Sequence, residues 1–223
     1  QYHFVYDFMP PPTLISAKNF ALFYYYANIG GDIHKPNETQ EIALHTAAKI
    51  GSIELIKYLI RKGMNVNSRC SRLFTPLHHA TISEFTDIVE LLVENGADVN
   101  AANDLGSTPL TYASAVGNLE IVKFLISNGA YASGNEEDNA PLISAAGSTN
   151  EKVVEFLVSK GANVNSKSAN GKSPLHAAAS GNNINIAKFL IDNGADVSSR
   201  NINNLTPLHV ASKCMNYEMI SFL

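Results

Sequence analysis

The feature that most constrains this chain is a period near 33 residues that runs along almost its whole length. The stretch Thr75 to Asn100, TPLHHATISEFTDIVELLVENGADVN, displays the unit. Pro76 stands where a fixed φ and a missing N–H suit the first turn of a helix, and Leu77, Ala80 and Ile82 follow at helical spacing. A second apolar run, Ile88, Val89, Leu91 and Leu92, ends at Gly96, which takes a left-handed conformation without a Cβ penalty. Ala97-Asp98-Val99-Asn100 leads out as an extended turn. The unit therefore reads helix, turn, helix, glycine stop, turn. Neither helix is long enough to be stable alone in water, so each copy depends on its neighbours.

Two markers keep the same register. The first falls at Ala43, Pro76, Pro109, Pro141, Pro174 and Pro207, in steps of 33, 33, 32, 33 and 33; the second falls at Gly63, Gly96, Gly129, Gly161 and Gly194. With Thr-Pro-Leu-His at 75–78 and 206–209 and Ser-Pro-Leu-His at 173–176, the pattern resembles the ankyrin repeat over roughly residues 19–223. The resemblance implies an all-α repeat solenoid: stacked helix-turn-helix units with β-hairpin-like fingers beside a concave face of first helices. The expected organisation is an irregular, Pro-containing segment at 1–18 and a degenerate first repeat or cap at 19–38. Repeats follow at 39–71, 72–104, 105–136, 137–169 and 170–202, with a truncated repeat at 203–223. Pro10-Pro11-Pro12 is read as forbidding a normal helix, whereas Leu14 to Ala27 is helix-compatible after Thr13 as N-cap. The aromatic cluster Phe20, Phe23, Tyr24, Tyr25 and Tyr26 is read as a cap, some of it covering the apolar side of the next repeat, with a partner-binding or membrane-facing patch as the alternative. Glu84 stands where Gly51 and Gly117 mark the turn between helices, which predicts a rearranged or strained turn, and Asn182 after Gly181 suggests a small shift of the same turn. The sequence Asn135-Glu136-Glu137-Asp138 makes the shortened finger the most acidic spot, read as a solvated turn, with a contact for a basic partner as the alternative. Leu77, Leu110, Leu175 and Leu208, with Leu92, Leu125, Leu157 and Leu190, are expected to fill the core. Met219, Ile220, Phe222 and Leu223 would form an apolar helix face with no polar capping helix, as in a piece of a longer protein.

Composition bears on function mainly by exclusion. A net charge of −4, with Lys and Arg scattered rather than aligned, argues against a nucleic-acid module, and no apolar run approaches the ~20 residues of a membrane span. Cys70 and Cys214, the only cysteines, lie several repeats apart, beyond the reach of a disulfide, and read as free thiols of a reducing compartment. A cytoplasmic setting is favoured, although the sequons at Asn37 and Asn204 leave a secreted one open.

Catalytic chemistry is nearly absent from the sequence. His45, His78, His176 and His209 occupy one structural position a repeat apart, and the resemblance assigns them hydrogen bonds to a neighbouring Thr or Ser and to backbone. His79 adjoins His78 but points elsewhere on the helix, so no zinc spacing results. No phosphate-binding glycine loop, nucleophile elbow or supported Cys–His pair is present, and neither a cofactor nor a metal is expected. The reading is a non-enzymatic, monomeric scaffold for protein–protein interaction; the alternative is the recognition region of a larger latrotoxin-like toxin or host-directed effector. In ankyrin proteins the finger residues before the Thr-Pro marker and the end of the first helix face the concave side. Those positions here hold Glu41, Lys49 and Ile50, then Arg72, Phe74 and Ile82, then Asp104, Leu105 and Val116. Ile50, Phe74, Ile82, Leu105 and Val116 are expected to form an apolar stripe with Phe74 as its anchor; the competing reading has Phe74 folded over the turn at Glu84. Later fingers, with Asn139, Asn170 and Asn203, are more polar.

Overall fold

A computed structural model describes residues 10–16, 18–134 and 141–223. The acidic finger at 135–138, with Asn139, and the residues before Pro10 lie outside the described residues. Every regular element described is a helix. They are α1 (Pro11–Ser16), α2 (Phe20–Asn28), α3 (Ala43–Ile50), α4 (Ile53–Arg61), α5 (Pro76–Ile82), α6 (Thr86–Glu94) and α7 (Pro109–Val116). There follow α8 (Leu119–Ser127), α9 (Pro141–Gly147), α10 (Glu151–Ser159), α11 (Pro174–Ser180), α12 (Ile184–Asp192), α13 (Pro207–Lys213) and α14 (Tyr217–Phe222). The chain divides into two compact units, residues 1–104 and 105–223. Within each, helix pairs stack by repeat: α1, α3 and α5 pack in succession in the first unit, and α7, α9, α11 and α13 in the second.

The helices start where side chains replace missing backbone partners. Thr75, Thr108, Ser173 and Thr206 have extended backbone and accept the N–H of the residue three positions on, with Pro at the first helical position. The second helices end at left-handed glycines such as Gly96, φ 87°, after which the Ala97 N–H donates to the Leu92 carbonyl. Between these ends, Leu77, Leu92, Leu110, Leu125, Leu157, Leu175 and Leu190 are all buried, as the period requires. Leu208 departs from expectation: it is 41% exposed, because no further helix pair packs on α13 and α14 among the described residues.

The first repeat is more regular than its prolines suggest. Pro11 and Pro12 open α1 rather than preventing it, since the first turn of a helix has no internal acceptor for their absent N–H groups; the Thr13 N–H donates to the Pro10 carbonyl at 2.9 Å. The helix does not run on to Ala27. Lys18 turns left-handed at φ 55°, and Asn19 caps α2 by accepting the Leu22 N–H at 3.2 Å. Residues 11–28 thus form a helix–turn–helix pair in the common register, which replaces the irregular segment expected up to residue 18. Part of its aromatic cluster covers the next repeat: Phe23 is fully buried, and the rings of Phe23 and Tyr24 meet Tyr58 edge-on at 6.3 and 5.1 Å, whereas Tyr25 is exposed.

Five of the turns between paired helices share one backbone conformation with different residues. Gly51 and Gly117 are left-handed at φ 82° and 78°, and Glu84, Asn182 and Met215 adopt the same conformation at 59°, 54° and 55°. Glu84 therefore sits in the strained backbone anticipated for it. Asn182 shows no shift of register; Gly181 before it is ordinary right-handed backbone at φ −84°.

Candidate functional site

The repeat histidines set the geometry on which the finger residues rest. The Nδ1 of His45 accepts the Ile42 N–H at 3.2 Å, so its ring proton lies on Nε2, which donates to the carbonyls of Ser68 at 3.0 Å and Phe74 at 3.1 Å. His45 thus ties its own helix start to the next finger. His176 repeats the arrangement, accepting from the Ser173 N–H and donating to the Leu205 carbonyl at 2.9 Å. Burial lowers the pKa of both rings, against the opposing pull of the carbonyls they serve. The fingers are tight turns: Leu73 donates to the Cys70 carbonyl and Cys70 to the Phe74 carbonyl, with Leu73 left-handed at φ 59°. Between their backbones, neighbouring fingers are joined by the Ser71 N–H to the Thr39 carbonyl and the Asp104 N–H to the Arg72 carbonyl.

Phe74 projects from this frame. Its half-buried ring lies on His78 at 5.3 Å and His79 at 5.6 Å, and the Arg72 guanidinium stands 5.9 Å from its centroid. Arg72 is held in turn by Asp104, Nε to Oδ2 at 3.2 Å. The aromatic ring over the turn of the preceding repeat is Phe85: a Cβ added to Gly51 would meet it at 2.6 Å. On the same unit, Ile82 is 39% exposed, Ile50 and Glu41 are half-buried and Lys49 is exposed. On the second unit, Leu105 is 57% and Val116 42% exposed.

Three features escaped the sequence reading. His79 is not a bystander: its Nε2 approaches the Glu41 Oε1 at 3.6 Å, and its ring meets His45 edge-on at 5.8 Å. Its pKa falls to about 4, chiefly through burial and then through His45. Phe85 is the second. The third is a row of asparagines after the inter-helix turns of the second unit, where Asn150, Asn183 and Asn216 donate side-chain N–H groups to the carbonyls of Gly117, Ser148 and Ala179 in the preceding repeat. The recurrence of Asn at 118, 150, 183 and 216, with Phe at 85, is the signal in the sequence that could have found the last two.

The surface formed by the second helices is less organised. Lys123 and Lys160 flank the Phe156 ring at 5.8 and 5.5 Å, above an open depression also lined by Leu119, Lys152 and Glu155. Among the described residues no group of three or more His, Cys, Asp or Glu side chains is placed to hold a metal, and no helix is long and apolar enough to cross a membrane. Cys70 is buried and Cys214 exposed, both as free thiols.

A family model described as ankyrin repeats (3 copies) matches residues 14–103, 99–168 and 161–223. Among solved structures, the crystal structure of the human ASB11 ankyrin repeat domain is similar at 30% sequence identity and a TM-score of 0.73, over 82% of each chain. A search of curated proteins returned no match.

Proposed function

The chain belongs to the ankyrin-repeat family, and we propose that it is a non-catalytic scaffold that binds a protein partner, with its principal contact around Phe74. Ankyrin repeats are in general protein–protein interaction modules, and nothing in either comparison speaks for the toxin reading. The observation that carries the proposal is the Phe74 ring, held against two histidines and beside an Arg72–Asp104 pair, with Ile82 exposed at the end of the helix that follows. An aromatic anchor with an adjacent arginine, already fixed before a partner arrives, is the composition of an interface hot spot. Glu41, Lys49 and Ile50 extend the contact on the first unit; Leu105 and Val116 present comparable apolar side chains on the second.

The test replaces Phe74 and Ile82 together by Ser. A partner recovered with the unaltered chain should bind the variant at least ~30-fold more weakly, from the ~2 kcal/mol or more that defines a hot spot. Unchanged thermal unfolding separates lost contact from lost folding. A stable variant with undiminished affinity moves the site elsewhere.

A further inference from the structure

His79 is the one histidine among the residues three positions after the helix markers. Thr46, Tyr112, Ser144, Ala177 and Val210 stand at the same register. Its opposite number is equally particular: Glu41 holds the finger position that Phe74, Ser107, Lys172 and Leu205 hold in other repeats. The two meet across the junction of the second and third repeats, where their side chains are only 13% and 18% exposed.

The surroundings of the His79 ring are mostly unfavourable to a proton. Phe74 covers it at 5.6 Å, the His45 ring stands edge-on at 5.8 Å, and its Nε2 is buried with no hydrogen bond within reach. The charged and titratable groups facing it are Glu41 from the preceding finger, His45 and Lys49 from α3, and His78 from its own helix. Arg72 stands 5.9 Å from the centroid of the Phe74 ring and is paired with Asp104. Glu41 alone favours the imidazolium; burial, His45, Lys49 and His78 oppose it. The Glu41 carboxylate is also partly committed, since its Oε2 accepts from the Asn37 side chain at 3.1 Å.

We propose that His79 is a proton-sensitive pin at the junction of the second and third repeats, whose protonation loosens that junction and frees Phe74 before the rest of the chain responds. The direction follows from linkage. In an unfolded or opened chain the imidazole takes a proton near pH 6.5, whereas in the closed junction it does so only near pH 4. The stabilisation is therefore fully present above about pH 6.5 and is lost as the pH falls toward 4. Between pH 7.5 and 5.0 the opening equilibrium rises roughly 30-fold, from the ratio of proton occupancies in the two states. The inference concerns the junction itself and holds whether or not a partner binds at Phe74.

The experiment measures hydrogen exchange at pH 7.5 and 5.0, corrected for the intrinsic pH dependence of exchange, in the unaltered chain and in His79→Gln. Protection in α3 and α5 should fall about 30-fold on acidification in the unaltered chain. In the Gln variant this roughly 30-fold contribution of His79 should vanish, and any fall that remains is that of other buried rings such as His45. An NMR titration of the His79 ring in the unaltered chain serves even if the variant does not fold. A ring titrating near 6.5 in the folded protein, or a Gln variant that keeps the full acid-induced loss, overturns the proposal.

Discussion

The contact between Phe85 and Gly51 gives a quantitative test of how the first unit is packed. Gly51 has φ 82° and lies under the Phe85 ring, where an added Cβ would stand 2.6 Å from Cζ and 2.9 Å from each Cε. Gly63 has nearly the same backbone, φ 83°, but no heavy atom within 4 Å of such a Cβ. Gly63→Ala therefore isolates the backbone penalty of a left-handed L-residue, about 1 kcal/mol. Gly51→Ala adds overpacking against an aromatic ring, typically 1–3 kcal/mol, and should cost about 2–4 kcal/mol in all. Replacing Phe85 by Asn, the residue at the equivalent positions 118, 150, 183 and 216, removes the ring. In that background Gly51→Ala should cost only about 1 kcal/mol, a coupling of roughly 1–3 kcal/mol between the two sites. Urea unfolding followed by circular dichroism supplies the totals, and hydrogen exchange in α3 localises them, since an array of repeats need not unfold in one step. Equal costs at Gly51 and Gly63, or a Gly51 cost unaffected by Phe85→Asn, would refute the packing.

Two further outcomes follow from the repeat geometry. Glu84→Gly should stabilise by about 1 kcal/mol and raise the melting temperature by about 2–4 °C, because it relieves a left-handed φ of 59°; calorimetry showing no gain would remove strain from the account of this turn. Leu157→Ala should cost ~2–5 kcal/mol by leaving a cavity in a fully buried site, with faster hydrogen exchange confined to its own and adjoining repeats; uniform loosening of the second unit would contradict nearest-neighbour stacking.

The period made the fold legible because each unit repeats the same local physics: a capped start, an apolar face and a glycine stop. It exposed the helix starts at Thr75 and Thr206 and the core leucines from Leu77 to Leu190. It was silent wherever a side chain reaches into the neighbouring repeat, since such contacts depend on pairs of residues that lie about one period apart. Phe85 over Gly51, Asn150 to the Gly117 carbonyl and His79 beside Glu41 are all of this kind. The prolines at 11 and 12 misled for a different reason: their effect depends on position within the helix, and at its first turn they remove no hydrogen bond. Leu208 carries the core pattern in sequence, but burial also needs a surface to pack against. At the candidate site, the composition of the fingers identified Phe74 and Arg72, and the histidines that hold the ring in place emerged only from the geometry.

The central claim, that the surface around Phe74 receives a protein partner, is tested most directly by photo-crosslinking. A photoreactive phenylalanine analogue is placed singly at position 74, 82, 60 or 156, and the adducts formed with the chain's natural protein environment are identified. The account predicts one protein captured efficiently from positions 74 and 82 and not from Ile60 on α4 or Phe156 on α10. Capture of a single protein from position 60 or 156, with none from 74 or 82, would contradict it.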